Sequence, residues 1–478
     1  MSNVASTHPD YDRVAPAWEL CRDISGGSRA VKAKRTVYLP QPSGMSNADY
    51  DAYLKRAVFF NAMARTITAL AGAVVVKQPE VEGVPPLVAP DLEDVTLRDE
   101  SLEDVALEVV QEVLRVGRFG ILLDMPEASA RPRPYWCLRR AEDIVNWRTE
   151  RIGDDPAQLV SLVLREDQEV PSLDGFGHEV RPAYRELSLA AGDGGPVAQS
   201  RLWTQSDPML VVSQSATPWS PGPWHSLLRR GTPLSFLPFC FVGPSGITPD
   251  VAKPPLEDMA EIVAGHFRNS ADHEHGLFLT ALPTPWAAGV QGDDQVLTIG
   301  PSRAWRLSEN GKVGMMEFSG AGLAAVREAM AAKEKMMGHL GGKLLLEEPS
   351  AQGPETATSA RLRYSAESAS LRTIAASVSA ALTRILRWHC WWVGLDDGVP
   401  LDVEVRLASS FFDVKASSEE VKTAVFAVQA GEISSETFYS ILTRGGWSRP
   451  GVTFEQERQA IERQVNRLLP VEGGNDAA

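Results

Sequence analysis

Cysteine is scarce in this sequence. The 478 residues contain four, Cys21, Cys137, Cys240 and Cys390, far apart and with no CxxC pair. Neither a disulfide framework nor a cysteine zinc site is expected from that spacing. Reduced thiols in a cytoplasmic compartment fit it. Long apolar runs are missing too: the longest, near Ile67 to Val76, is about half of a membrane span. The start, MSNVASTHPDYDR, has neither the charged nor the apolar stretch of a signal peptide. A soluble chain is expected, intracellular at synthesis and without a membrane partner. Basic charge is in deficit: 47 Lys and Arg against 62 Asp and Glu give −15. That balance argues against a protein wrapping nucleic acid through a broad basic surface, though not against transient contact with DNA.

Catalytic signatures are absent as well. A phosphate-binding loop needs GxxxxGK[ST], so that backbone amides cradle the phosphates. The two Gly-Lys pairs, Gly311-Lys312 and Gly342-Lys343, are followed by Val and Leu and lack the earlier glycine. There is no HExxH, no GxSxG and no kinase motif. No carboxylate spacing singles out an acid–base pair. The one metal-like cluster is His266, Asp272, His273 and His275. His266 and His273 can share a helix face, with His275 beyond the helix end; the plain alternative is a polar helix terminus. The run Trp388-His389-Cys390-Trp391-Trp392 reads as a helix end driven into a core or an interface. No catalytic residue, metal or cofactor is assigned.

What is present is an ordinary globular balance, 44% hydrophobic and 23% charged, with 12 Trp. The length predicts two to four structural units. The first 40 residues read as an arm with one short helix around Ala17 to Ser25. A helix is expected over Asp49 to Gly72, capped by Ser46 or Asn47, with Met63, Ile67, Leu70 and Val74 on one face. Ser101 and Asp104 form a capping box for a helix closed by Gly117. The run from Gly120 to Met125 reads as a buried strand. Short alternating strands fill Tyr135 to about Val242. Helix returns at Pro254, with Leu256, Met259, Val263 and Phe267 in a stripe. Short strands follow from Leu277 to Phe318, then a helix over Ala321 to His339. A long helix of about 35 residues carries Leu371, Ile374, Val378, Leu382 and Ile385. A strand, LDVEVRLA, and three short helices close the chain. They are announced by Ser417 and Glu420, by Ser434 or Ser435 before Glu436, and by Thr453 and Gln456. The class is α+β.

Five segments in this order carry a resemblance. They are YLPQPSGMSNADYDAYLKRAVFFNAMARTITALAGAVV, LEVVQEVLRVGRFGILLDMP, RPYWCLRRAEDIVNWR, PPLEDMAEIVAGHFRNSADHEHGLFLTALPTPW and ETATSARLRYSAESASLRTIAASVSAALTRILRW. Over about Tyr38 to Gly394 the chain resembles tailed-bacteriophage portal proteins, the head-to-tail connectors, in the branch described as DUF4055. The resemblance implies a portal fold: an α/β wing, a stem of paired helices, a clip formed by a small β insertion, and a helical crown. The implied division is arm 1–40, wing 41–253, first stem helix 254–275, clip 276–318 and second stem helix 319–343. A channel (tunnel) loop follows at 344–358, then the long wing helix and strand at 359–415 and the crown at 416–478.

By the same resemblance Glu347, Glu348, Gln352 and Glu355 face DNA from the channel loop. Lys312, Lys333, Lys335 and Lys343 form sparse basic rings along the lumen, the alternative for each being an ordinary exposed charge or an intersubunit ion pair. Asn310, Gly311 and Lys312 dock a partner at the clip. The implied assembly is a ring, usually of twelve subunits, around double-stranded DNA held without sequence specificity. Its implied partners are the large terminase subunit, the head–tail adaptor, the major capsid protein and scaffold. It would sit at the portal vertex of the virion, and in the host cytoplasm during assembly. The alternatives are another capsid-associated minor or adaptor protein, or a metal-dependent cytoplasmic enzyme using His266, His273 and His275.

Overall fold

The computed structural model describes residues 3–125, 133–151, 157–172, 175–192, 195–205, 219–280, 284–290, 307–316, 321–341, 357–393, 402–408, 418–444, 447–448 and 452–468. These form an α+β chain that divides into two compact units, Met1–Ser409 and Ser410–Ala478.

The first helix of the first unit is longer than the sequence suggests. Helix α1 spans Pro9–Gly26: Pro9 opens it, the His8 Nδ1 accepts from the Asp10 N–H, and Gly27 at φ 88° ends it. Trp18, Cys21 and Ile24 on its inner face are fully buried. The opening 40 residues are thus part of the core, not a loose arm with one short helix. Helix α2 (Ser28–Ala33) follows.

The single helix expected over 49–72 is two. Helix α3 (Asn47–Arg56) is capped by Ser46, and helix α4 (Ala62–Val74) by Asn61, whose side chain accepts from the Ala64 N–H at 3.0 Å. Between them Val58 donates its N–H to Ser270 Oγ at 3.1 Å, and Phe59 packs edge-on against Phe267 at 5.7 Å. A backbone amide committed to a residue 212 positions away cannot also serve a helix ladder. Helix α5 (Leu102–Val116) matches its sequence signals. The Ser101–Asp104 capping box is formed in both directions, and Gly117 closes the helix at φ 73°.

Strand Phe119–Asp124, buried along its whole length, is the centre of a three-stranded antiparallel sheet. Its neighbours are Phe239–Val242 and Tyr135–Arg140. A second antiparallel sheet runs Trp219–Pro221, Gly195–Gln205, Ala183–Gly192, Gln158–Arg165 and Ile144–Glu150, with His225–Ser226 also paired to Gly195–Gln205. Between this β region and the next helix, Arg118 fixes the connection. Its guanidinium lies over Trp147 and Phe241, with ring centroids 4.1 and 4.8 Å away, and donates to the Pro249 carbonyl at 2.8 Å. Burial pulls its pKa down to about 9.

Three long helices follow: α6 (Glu257–Thr280), α7 (Ala321–Leu340) and α8 (Ala357–Val393). All five stripe residues expected in α8, from Leu371 to Ile385, are buried. Each such side chain contributes about 1.5–3 kcal/mol of transfer free energy. The tryptophan-rich end of α8 is a core end. Cys390 and Trp392 are buried, the Trp392 N–H donates to the Leu228 carbonyl, and buried His389 meets Asp91 at 3.0 Å. Strand Glu404–Arg406 pairs antiparallel with Glu80–Glu82. Its other edge is closed by α8: Thr383 Oγ1 and Ser379 Oγ accept the Val405 and Leu407 N–H groups.

The second unit holds α9 (Ser418–Gln429), α10 (Ser435–Arg444) and α11 (Phe454–Leu468). Ser434 caps α10, and Thr453 with Gln456 forms a reciprocal capping box on α11. No helix among the described residues is long and apolar enough to cross a membrane.

Candidate interface: a helix pair and its hairpin

Helices α6 and α7 lie side by side and run antiparallel. Met259 faces Gly341, Gly265 faces Lys333, and Gly276 faces Leu323, so one index rises as the other falls. Glycine lets the helices approach: a Cβ on Gly276 would lie 2.4 Å from Leu323 Cδ2. The pair is pinned at mid-length by His266 Nε2 and Glu334 Oε1, 3.0 Å apart.

The 24 residues of α6 span about 36 Å, and its two ends differ. Up to Ala271 it buries Met259, Val263, Ala264 and Phe267. Tyr53 marks the change, donating to Asp272 Oδ1 at 2.5 Å. Burial raises the Tyr53 pKa, and the Asp272 hydrogen bond raises it further. Beyond this point Leu277, Phe278 and Leu279 are exposed, with Arg56 stacked 3.6 Å over the Phe278 ring.

Strands Thr284–Val290 and Leu307–Met316 form a two-stranded antiparallel hairpin in the chain between the two helices. Trp286 pairs with Gly314, and its indole covers the glycine, whose Cβ would come within 2.8 Å of Nε1. Side chains on both faces are open to solvent: Trp286 is 42% exposed, Val313 52% and Met315 59%. A two-stranded hairpin alone is marginally stable in water, so apolar residues on both faces call for a partner surface.

The candidate residues fall unevenly on this scaffold. Asn310 and Lys312 are exposed and Gly311 half-buried, consecutive on the second hairpin strand, with Lys312 opposite Ala288. Lys333 is half-buried, its methylene stem lying across Gly265 in the helix seam. Lys335, two residues on, is exposed on another face of α7. Lys343, Glu347, Glu348, Gln352 and Glu355 lie outside the described residues.

The histidine cluster does not converge. Helix α6 continues to Thr280, so His275 lies inside it rather than beyond its end. His266 turns to Glu334, His273 lies beside Glu274, and His275 stands edge-on to Tyr53 at 5.2 Å. His266 and His273 are separated by about 10 Å along the axis and turn to different partners. Among the described residues no group of three His, Cys, Asp or Glu could hold a metal.

The family model described as a domain of unknown function, DUF4055, matches residues 255–393, which is less than half of the chain. No curated protein matches. Three solved structures are similar at low identity. They are the virion of a native gene transfer agent particle (14% identity, TM-score 0.38), the neck of a native particle computed with C12 symmetry (13%, 0.37) and the neck of an empty particle computed with C6 symmetry (15%, 0.38). The similarity covers 86–87% of this chain and 98% of each of those chains. With TM-scores below 0.5, none of the three bears on the reading of this chain. The DUF4055 match runs over α6, the hairpin, α7 and α8, and is narrower than the span of the resemblance drawn from the sequence.

Proposed function

We propose that this chain is a portal-type subunit: a non-enzymatic ring at a capsid vertex that conducts double-stranded DNA. One observation carries the reading. The antiparallel pair α6/α7, with an exposed hairpin between its members and the long α8 after it, repeats the order stem, clip, stem, channel loop and wing helix. The stretch matched by the DUF4055 family is the same one. In this reading α6 and α7 are the stem, the hairpin is the clip, and residues 344–358 are the channel loop. The second unit is the crown. The hairpin docks the terminase and later the head–tail adaptor. Exposed apolar residues on the hairpin suit that role.

The acidic loop residues Glu347, Glu348 and Glu355 suit a conduit rather than a binder. A basic lumen would sum many phosphate contacts and hold the DNA, whereas weak contact lets it slide. Deleting Glu348 to Pro354 tests this. The shortened chain is expected to assemble as the full chain does, and to yield particles with much less DNA in a packaging assay. Normal DNA content would contradict the channel role; loss of all assembly would place the loop in the structural core.

A further inference from the structure

Strand Tyr135–Arg140 is an outer strand of its three-stranded sheet. The register fixes which way its backbone points. On the central strand the Leu123 N–H donates to the Pro238 carbonyl, on the side away from Tyr135–Arg140. Backbone groups alternate along a strand, so Gly120, Leu122 and Asp124 turn to Arg139, Cys137 and Tyr135. Trp136, Leu138 and Arg140 therefore turn outwards. The Trp136 N–H indeed donates to the Val95 carbonyl at 2.8 Å, and the Asp143 carboxylate accepts the Arg140 N–H. Among the described residues the Leu138 N–H and C=O and the Trp136 C=O have no hydrogen-bond partner.

This open edge faces a cavity of about 310 Å³. All six residues of the strand line it, with Thr96, Arg98 and Glu100 from the loop before α5 and Glu108 from α5 itself. The loop begins to pair with the edge and then leaves it. Val95 accepts from Trp136, but its own N–H goes to the Glu100 carbonyl, and Leu97 and Asp99 stand at φ 63° and 60°. Left-handed backbone is uncommon for leucine and persists where its surroundings hold it, often beside ligand sites. Here Asp94 Oδ1 holds it by accepting the Arg98 and Asp99 N–H groups. The edge beside Leu138 is left open.

Four carboxylates, Glu100, Glu108, Asp143 and Glu166, line the cavity with three arginines. Glu166 is held by Arg139 and Arg185, and Glu100 accepts from the Thr96 hydroxyl. Glu108 is half-buried, and among the described residues its carboxylate has neither a hydrogen bond nor an ion pair. Burial raises its pKa, Glu100 and Glu112 raise it further, and Arg140 and Arg115 offset only part of this. A cation is the missing neighbour.

We infer that this edge receives an extended segment of a partner protein carrying a basic side chain. The segment adds a fourth strand to the sheet. Its backbone meets the Leu138 N–H and C=O, and its ammonium or guanidinium meets Glu108. The site lies outside the stem, hairpin and channel loop and does not depend on the ring reading.

The probe is a fluorescein-labelled, blocked pentapeptide, Thr-Val-Lys-Val-Thr, titrated into the full-length protein and read by anisotropy. Saturable binding is expected. At saturation the Leu138 amide should exchange hydrogen about tenfold more slowly or less, while Cys137 and Arg139, already in the ladder, stay unchanged. Replacing the central Lys of the probe by Glu, or methylating its backbone nitrogens, is expected to weaken binding about tenfold. These changes leave the protein untouched, so misfolding cannot mimic them. Glu108→Gln is expected to bring the Lys and Glu probes to within about twofold of each other. No saturable binding at millimolar probe would leave the edge to water and overturn the inference. Equal binding of the methylated probe would overturn strand addition, and equal binding of the Lys and Glu probes to the wild type would overturn the basic occupant.

Discussion

At the scale of single residues, buried charge decides much of the first unit. Arg22 donates to Glu112 at 2.6 and 2.8 Å and to Glu142 at 2.7 and 2.9 Å, and Arg115 also reaches Glu112. This ties α1 to α5 and to the short turn before strand Ile144–Glu150. Burial would raise the Glu142 pKa, but hydrogen bonding and charge from Arg22 outweigh it and leave the group more acidic than usual. Its ionised form therefore adds stability above the unfolded value of about 4.3, and that stability is lost as pH falls through the lower folded value. Arg22→Met is expected to cost about 2 kcal/mol at neutral pH. That is less than the loss of a fully buried pair, because Arg115 still holds Glu112. The difference from wild type should shrink below about pH 4. Urea unfolding at several pH values measures it, and a pH-independent difference would contradict the role given to Glu142. Glu108 and Asp143 act oppositely, since burial raises both; they are common to both proteins and cancel in the difference.

At the scale of elements, what the sequence reveals depends on whether the cause is local. The stripe of α8 and the capping boxes before α5 and α11 follow from residues three to seven positions apart, and all are observed. The break between α3 and α4 depends on Ser270, far along the chain, with Asn61 as its single local sign. The hairpin was legible as short strands, but its exposure on both faces was not. The histidine cluster misleads because helical phase alone does not say that α6 runs on to Thr280. The packing of the Lys333 stem was not legible, because it depends on Gly265 in the partner helix. The element-level test is the second hairpin strand. Replacing Asn310 and Lys312 by Ala touches no residue of the buried core. The variant should keep its melting temperature within about 1–2 °C and lose affinity for a terminase or adaptor partner severalfold in a pull-down titration. Unchanged affinity would move the docking surface elsewhere on the molecule.

At the scale of the whole molecule, several features are incomplete in a single chain. The hairpin exposes Trp286, Val313 and Met315, and the outer end of α6 exposes Leu277, Phe278 and Leu279. In the second unit Phe426, Trp447 and Ile461 are more than half exposed. Large apolar residues left open in separate places are what repeated copies of one chain would cover. The most direct measurement is native mass spectrometry of the purified chain, with electron-microscope class averages of the same sample. The ring reading predicts a closed assembly of about twelve copies around an axial hole. A compact monomer or dimer with stoichiometric bound metal would contradict it and favour the enzyme alternative.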